Sequence, residues 1–419
     1  LSLFETGVWG RPPHTGPRSD VLVLGGGLAG LSAVSALVDQ GLEESIHIFE
    51  RRSRDQYVRD RTWCMWDVGD NPLAKLATHR WHDWIVRDES RVVHAHSDEH
   101  PYLRLPADLV YDHLVRKAEA APNVHFHFGS SADRVDRTEA GVQIATPRGE
   151  FAGRLALDSR PRRGRPSRNS LLQSFVGWEV RTRDHVFDPT VVTLMDFRLC
   201  KPGAIEFFYV LPLTENRALV ESTVFAPSVV GREYHKQRIK TYIQRTLNTS
   251  LEEIEYSEQG VIPMGFDHAP RPDLSGVLDI GLRGGVAKPS TGYAFRRIQD
   301  DSIRLAHNVA HRDSPPSARG SSARSQVLDR IFLSFLRHQP DLAPNAFLDL
   351  FDRVPADDLI RFLTETGSVA VDLRVVRALR PIPFLKEILR FAQPSLRWPA
   401  NPAKAMRFDR DEHTVLRAQ

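Results

Sequence analysis

Wholly apolar, helical-period and alternating stretches follow one another along the chain, and the changes between them mark its elements. Residues 21–24, Val-Leu-Val-Leu, are apolar throughout, as in a parallel strand buried on both faces. Four glycines within residues 25–30 follow, and then Leu31, Ala33, Val34, Ala36, Leu37 and Val38 trace a helical stripe that ends near Gly41. Residues 45–50 predict a second strand closing on Glu50. Beyond a Trp-rich stretch from Trp63 to Trp84, the pattern predicts a helix over 105–121, a strand over 124–128 and a hairpin from 141–145 and 151–157. Residues 160–168 are basic and rich in turn formers, and we place a domain crossing there. Residues 171–224 alternate like antiparallel strands, with apolar runs at 191–197, 207–213 and 218–225. Residues 233–247 read as helix, 258–287 as strands, and 326–393 as helix broken at prolines. No internal repeat is evident.

Composition narrows the function classes. With 419 residues, 41% of them apolar, and 56 Lys+Arg against 53 Asp+Glu, the chain is globular, has room for a large ligand, and carries too little net charge to argue for nucleic acid. Cys64 and Cys200 cannot make a disulfide framework, which points to a reducing, cytoplasmic compartment. No apolar run approaches the roughly 18 residues of a spanning helix, so the expectation is a protein that lies on a membrane at most. The chain starts at Leu1 rather than Met, and residues 1–18 read as a flexible leader.

The spacing Gly25-x-Gly27-x-x-Gly30 between strand and helix suits a dinucleotide: a tight turn, close backbone approach to a pyrophosphate, and helix packing on strand. Glu50, 20 residues past Gly30, is placed to accept from a ribose 2′-OH, which favours FAD or NAD over a 2′-phosphorylated nucleotide. A second segment, Gly284-Gly285-Val286-Ala287-Lys288-Pro289-Ser290-Thr291-Gly292-Tyr293, precedes a helical run far downstream. A late return of the chain to the nucleotide suits an extended FAD, with Ser290 and Thr291 as donors to ribityl or phosphate oxygens.

Five further segments, in this order and spacing, resemble one family. They are Asp60-Arg61-Thr62-Trp63-Cys64-Met65-Trp66, Leu194-Met195-Asp196-Phe197-Arg198, Ala218-Leu219-Val220-Glu221-Ser222-Thr223-Val224-Phe225, Gly260-Val261-Ile262-Pro263-Met264, and residues 284–298. With the nucleotide turn they are similar to the flavin-dependent lycopene cyclases of bacteria, over about residues 20–383. The resemblance implies an α/β fold: an FAD-binding Rossmann-like unit of glutathione-reductase/hydroxylase type, an inserted antiparallel β substrate domain and C-terminal helices. The corresponding boundaries are a leader at 1–18, an FAD-binding unit at 19–160 and 275–325, a substrate domain at 165–274 and a helical region at 326–419. It implies an isomerase (an intramolecular lyase, a lycopene β-cyclase) that closes carotenoid ends to ionone rings by protonation and carbocation closure. FAD in reduced form and NAD(P)H as electron source belong to that expectation, with a lipid-soluble carotenoid substrate, a membrane surface and contact with other carotenoid enzymes. An FAD-dependent polyprenyl reductase, or a cyclase of another linear terpenoid, is the alternative.

On this resemblance Glu221 is the acid/base, Asp196 and the pair Thr62 and Trp63 support it, and Gly25, Gly27, Gly30, Glu50, Gly284, Gly285, Pro289, Ser290, Thr291 and Gly292 hold the cofactor. The residues themselves leave alternatives. Burial between Leu219 and Val220 would keep Glu221 protonated, whereas an ion pair with Arg198 would make it structural. Asp196 reads equally as an inward carboxylate or a hydrogen-bonding anchor, and Trp63 and Trp66 as packing residues or substrate-side aromatics. Ser222 stands where many relatives carry a second acid, which weakens a paired-carboxylate mechanism. Arg283 either adds charge beside a flavin or faces solvent. His94 and His96, and His125 and His127, share faces at strand spacing without a third ligand, so no metal is expected. Residues 372–398 combine basic and apolar positions around Pro381 and Pro383, suiting either a headgroup layer or a solvated helical cap.

Overall fold

The computed structural model describes residues 20–139, 141–162, 170–266, 276–311 and 322–392. The leader, most of the basic segment 160–168 and everything past 392 lie outside these residues.

A five-stranded parallel sheet forms the first layer, in the order Val277–Asp279, Leu155–Asp158, Val21–Leu24, Ile46–Glu50 and Val124–Phe128. Val21–Leu24 is central and wholly buried, which explains its unbroken apolar run. Helix Leu28–Asp39 packs against helix Phe295–His311, so both glycine segments, remote in sequence, reach the same end of this sheet. The second layer has seven strands, in the order Leu251–Met264, Leu171–Thr182, Arg217–Ala226, Ile205–Thr214, Val191–Asp196, Asp83–Arg87 and Val92–His96. All its pairs are antiparallel except Val191–Asp196 with Asp83–Arg87. Helix Arg232–Thr241 and the π-turn Tyr242–Thr246 seal one face of it with Phe208, Val220, Ile239 and Tyr242. A three-stranded sheet, Thr62–Trp66, Tyr102–Pro106 and His79–Trp81, approaches the other face.

Several boundaries differ from the sequence pattern. The helix expected over 105–121 begins at Ala107, because Tyr102–Pro106 is a strand buried at every position and so shows no alternation. The expected partner 151–157 divides: Gly149–Gly153 completes the hairpin with Gly141–Thr146, and Leu155–Asp158 joins the parallel sheet. The long strand starts at Leu251, not 258, and residues 280–287 turn instead of extending. Residues 83–96, grouped above with the nucleotide unit, pair into the seven-stranded sheet. The C-terminal helices Ala323–His338, Ala343–Arg353, Ala356–Leu363, Val369–Ala378 and Pro381–Ala392 follow, with Ala343–Arg353 packed on Asp83–Arg87 and Val92–His96 at one edge of that sheet. There Phe335, Phe347 and Phe351 share a core with Trp66, Trp81 and Trp84.

Candidate active site

Strand periodicity decides which functional side chains meet. Glu221 sits in Arg217–Ala226, in register with Tyr209 on one neighbour and with Gly177 on the other. Its side chain therefore faces the three-stranded sheet, and Ser222 faces the opposite way, with its hydroxyl 3.0 Å from His235 Nδ1. The position after Glu221 belongs to the helix-covered face, so an acid there would not reach this site. Asp196 is also on the helix-covered face. It accepts from Tyr242 OH (2.8 Å) and from Arg198 Nε (3.0 Å) and is 1% exposed. Of its two readings the structure has the anchor, and the inward one is corrected. Arg198 is thereby engaged with Asp196, and the ion pair considered for Glu221 does not form.

The second carboxylate comes from elsewhere. Glu258, on Leu251–Met264, is in register with Gly177 on the far side from Glu221, so both glutamates share one face. Thr223 donates to Glu221 (2.6 Å) and Tyr256 to Glu258 (3.1 Å). Burial, then the charge of Glu258, pushes the Glu221 carboxyl from 4.5 up to about 8. Burial also raises Glu258, to about 7, against opposing contacts from Thr62, Tyr256 and Arg104. Sequence reading stopped two residues short, at the Gly260-Val261-Ile262-Pro263-Met264 motif. The available signal was Glu258, an acid at strand spacing from Gly260.

Aromatic and thiol groups line the same recess. The Tyr209 and Tyr102 hydroxyls are 3.0 Å apart, and burial lifts both, and that of Tyr293, well above the ordinary phenol range. Cys64, between Thr62 and Trp66 on the facing strand, is pushed by burial to about 12, so its thiol stays neutral. Cys64, Tyr209, Glu221 and Tyr293 all keep some accessible surface although burial dominates their electrostatics. That combination belongs to side chains lining an internal opening. Trp66 borders the opening against Tyr102 and Tyr293, at ring separations of 4.8 and 5.5 Å. Trp63, three residues away on a strand, points to the other face and packs on Tyr111 and Phe295, so it is not a site aromatic.

The nucleotide end also takes shape from the glycines. A Cβ on Gly30 would lie 2.0 Å from the Gly25 carbonyl oxygen, so only glycine lets the helix start this close to the strand. Gly27 caps helix Leu28–Asp39 without a side-chain bond, and the first turn holds no acid. The helix N–H groups and its positive end are left to an anion. Glu50 accepts from Gly26 N–H (2.6 Å) and from Arg52 N–H (2.9 Å), and a carboxylate with about four lone-pair sites can still take a ribose hydroxyl. These residues fit a dinucleotide.

Gly281, three residues before the late glycine segment, packs against Ala29 on that helix, so the approach to that segment meets the first glycine turn. Within the late segment the N–H groups of Gly284, Gly285 and Gly292 close turns onto the carbonyls of Ile280, Leu282 and Lys288, Pro289 has no N–H, and Thr291 accepts from Tyr293 N–H (3.3 Å). Ser290 departs from expectation: its hydroxyl donates to Asp329 (2.6 Å), so that proton is not left for a cofactor oxygen. Arg283 neither faces solvent nor stands as a free charge, since it pairs with Asp279 (2.7 Å) and Asp158 (3.3 Å). His96 pairs with Asp83 and Asp98, and His127 lies 2.9 Å from His47 Nδ1.

The glutamate pair has a thermodynamic consequence. Both carboxyls bind protons more tightly folded than unfolded, so the stability they add is complete below about pH 4.5 and is lost as pH rises through about 7 and 8. Glu221→Gln and Glu258→Gln are therefore expected to melt above the wild type at pH 8.5 and level with it at pH 5. Equal shifts at the two pH values would contradict the raising of these carboxyls by the fold.

Among solved structures, a geranylgeranyl bacteriochlorophyll reductase-like protein from Thermoplasma acidophilum matches with a TM-score of 0.59 and 16% identity, over 89% of this chain and 99% of that one. A probable FAD-dependent monooxygenase from Pseudomonas aeruginosa matches with 0.52 and 13%, over 83% and 100%. The fold is thus the Rossmann-like one of FAD-dependent reductases and monooxygenases. In sequence, a lycopene beta-cyclase of Paracoccus sp. is 25% identical over 87% of this chain and 95% of its own length. One from Pantoea ananas is 24% identical over 88% and 97%. The model of the lycopene cyclase protein family matches residues 20–388, nearly everything from the first strand to the last helix, and the chain belongs to that family.

Proposed function

We propose that the protein closes the ends of lycopene into β-ionone rings, an isomerisation without net redox change. One observation carries this reading: Glu221 is a buried carboxyl raised to about 8, and so protonated at neutral pH, at an opening walled by neutral tyrosines. An exposed carboxyl near pH 4.3 is ionised at neutral pH and has no proton to give an alkene. Glu221 gives its proton to the terminal double bond, and the Thr223 hydroxyl, 2.6 Å away, holds the carboxyl in place. The faces of Tyr102, Tyr209, Tyr293 and Trp66 offer negative quadrupole to the cation that follows and exclude water that would trap it.

FAD fits the nucleotide end: the N-terminus of helix Leu28–Asp39 with Gly25, Gly27 and Gly30 for the pyrophosphate, Glu50 for the ribose, and Gly284, Gly285, Pro289, Thr291 and Gly292 toward the flavin. In reduced form, with NAD(P)H as electron source, a bound FAD would supply negative charge to balance a developing cation.

Expression in cells that accumulate lycopene tests the reading. The expected pigment has the mass of lycopene and a shortened chromophore. A gain of two mass units would indicate a polyprenyl reductase instead, and unchanged lycopene with folded, FAD-bound protein would point to another linear terpenoid.

The substrate lives in lipid, and the last two helices offer a place to meet it. Among the described residues no helix is long and apolar enough to cross a membrane. Helix Pro381–Ala392 exposes Ile382 (68%), Leu385 (52%) and Leu389 (65%), and Val369–Ala378 exposes Leu373 and Val376. Exposed Arg374, Arg377, Lys386 and Arg390 accompany them. Pro381 opens the second helix instead of breaking one, as proline at a first helical position does. We therefore place this patch in the headgroup layer of an anionic membrane. Leu385→Asp with Leu389→Asp is expected to reduce co-sedimentation with phosphatidylglycerol vesicles at least tenfold without lowering the melting temperature. Unchanged sedimentation would remove the patch from membrane binding.

A further inference from the structure

Carboxyls on next-nearest strands start about 9–10 Å apart at Cα, twice the strand spacing. Between Glu221 and Glu258 the intervening residue is Gly177, and the Glu258 side chain leans across it. A Cβ there would stand 3.1 Å from Glu258 Cγ and 3.5 Å from its Oε1. The missing side chain draws the second carboxyl over the sheet toward the first.

Their surroundings differ. Glu221 has the Thr223 hydroxyl on its own strand, and Glu258 as its charged neighbour. Glu258 has Tyr256 on its own strand, with Thr62 and Arg104 approaching from the facing sheet. Arg104 also pairs with Glu179 (3.0 Å), and Arg59 lies 3.8 Å over the Tyr256 ring and pairs with Glu179 (3.1 Å). The remaining titratable groups on this side, Cys64, Tyr102, Tyr209 and Tyr293, are raised by burial and neutral. Each carboxyl has one hydroxyl donor on its own strand, but the Arg104 guanidinium acts on Glu258 and not on Glu221, so the anion of the pair resides on Glu258 and the proton on Glu221. Two titratable groups whose surroundings separate them in this way form an acid and a base.

We propose, building on the cyclase reading, that Glu258 is the base of the reaction: a carboxylate beside protonated Glu221, it takes the proton released by the ring-closed cation. The atoms balance without an oxidant or reductant. The Glu221 O–H breaks and its proton forms a C–H bond at the terminal alkene. The internal double bond then closes the ring onto the tertiary cation. A ring C–H breaks, its electron pair becomes the new double bond, and its proton goes to Glu258. Transfer of that proton to Glu221 resets the pair. Because Glu258 selects which proton leaves, it also sets the position of the ring double bond.

Two measurements test this. In purified protein, the infrared carboxyl band of Glu221, assigned by its absence from Glu221→Gln, is titrated in wild type and in Glu258→Gln. The band is expected to ionise at least one pH unit lower in Glu258→Gln, because the neighbouring charge is gone; an unmoved titration would overturn the pairing. In lycopene-accumulating cells, Glu258→Gln is expected to reduce cyclised pigment at least 100-fold, the general-base range. Glu258→Asp is expected to restore ring closure with a redistributed ring double bond, and it carries the test if the Gln variant does not fold. Wild-type pigment from folded Glu258→Gln, or an unchanged ring-isomer ratio in Glu258→Asp, would overturn the base assignment alone. Absence of cyclised pigment from the wild type would overturn the cyclase reading and the base assignment with it, while the infrared titration would still report the pair.

Discussion

Glu221→Gln is expected to abolish ring closure in lycopene-accumulating cells while leaving the protein folded. The substitution keeps shape and volume and removes the one proton the first step consumes. Loss of a positioned general acid costs about 10²–10⁴ in rate, and an alkene, a very weak base, places this case at the upper end. The fold should not suffer, because Thr223 can hydrogen-bond an amide as well as a carboxyl, and no cation pairs with Glu221 among the described residues. Glu221→Asp keeps the proton and withdraws it by one methylene, which predicts partial activity. Full activity in folded Glu221→Gln would move the acid elsewhere on this face.

The second large effect lies away from the reacting atoms. Lys288, in the late glycine segment, is 1% exposed, with Nζ 3.0 Å from Asp329 and 3.1 Å from Glu365. Asp329 also takes the Ser290 proton, and Glu365 also pairs with Arg297 (2.6 Å). Burial would raise the Glu365 carboxyl, but Lys288 and Arg297 together pull it down to about 2. This knot ties the cofactor side of the molecule to helix Ala323–His338 and to the turn before Val369–Ala378. Lys288→Met leaves Asp329 buried without its cation, and removal of one member of a buried ion pair costs about 3–5 kcal/mol. The expected result is a large fall in denaturation midpoint at neutral pH, mostly recovered in Lys288→Met with Asp329→Asn. The contribution of Glu365 itself is present above about pH 4.5 and lost as pH falls toward 2. A midpoint unchanged by Lys288→Met would show that the knot adds nothing to stability.

Much of the molecule was legible before any coordinates. Val21–Leu24, the glycine turn, the helix after it and Glu50 announce themselves because each relies on local rules: an unbroken apolar run, a glycine where backbone must approach backbone, an acid at a strand end. Glu221 stood out for the same reason, as a charge in an apolar strand. The losses have two causes. Tyr102–Pro106 merged with the following helix, since a strand buried on both faces carries no period to read. Ser290 seemed a cofactor donor until its proton was found on a helix that starts more than thirty residues later in the chain.

The local sequence thus determined which side chains could do chemistry: a dinucleotide turn, an acidic strand end and one carboxyl held among apolar neighbours. Only the tertiary structure decided which of them act together. Asp196 and Ser222 belong to the helix-covered face, Trp63 to another core, and Glu258, across Gly177, completes the pair with Glu221. The physical reason is that strand period assigns each residue to a face, but register between strands distant in sequence determines what stands beside it, and register is a property of the assembled sheet.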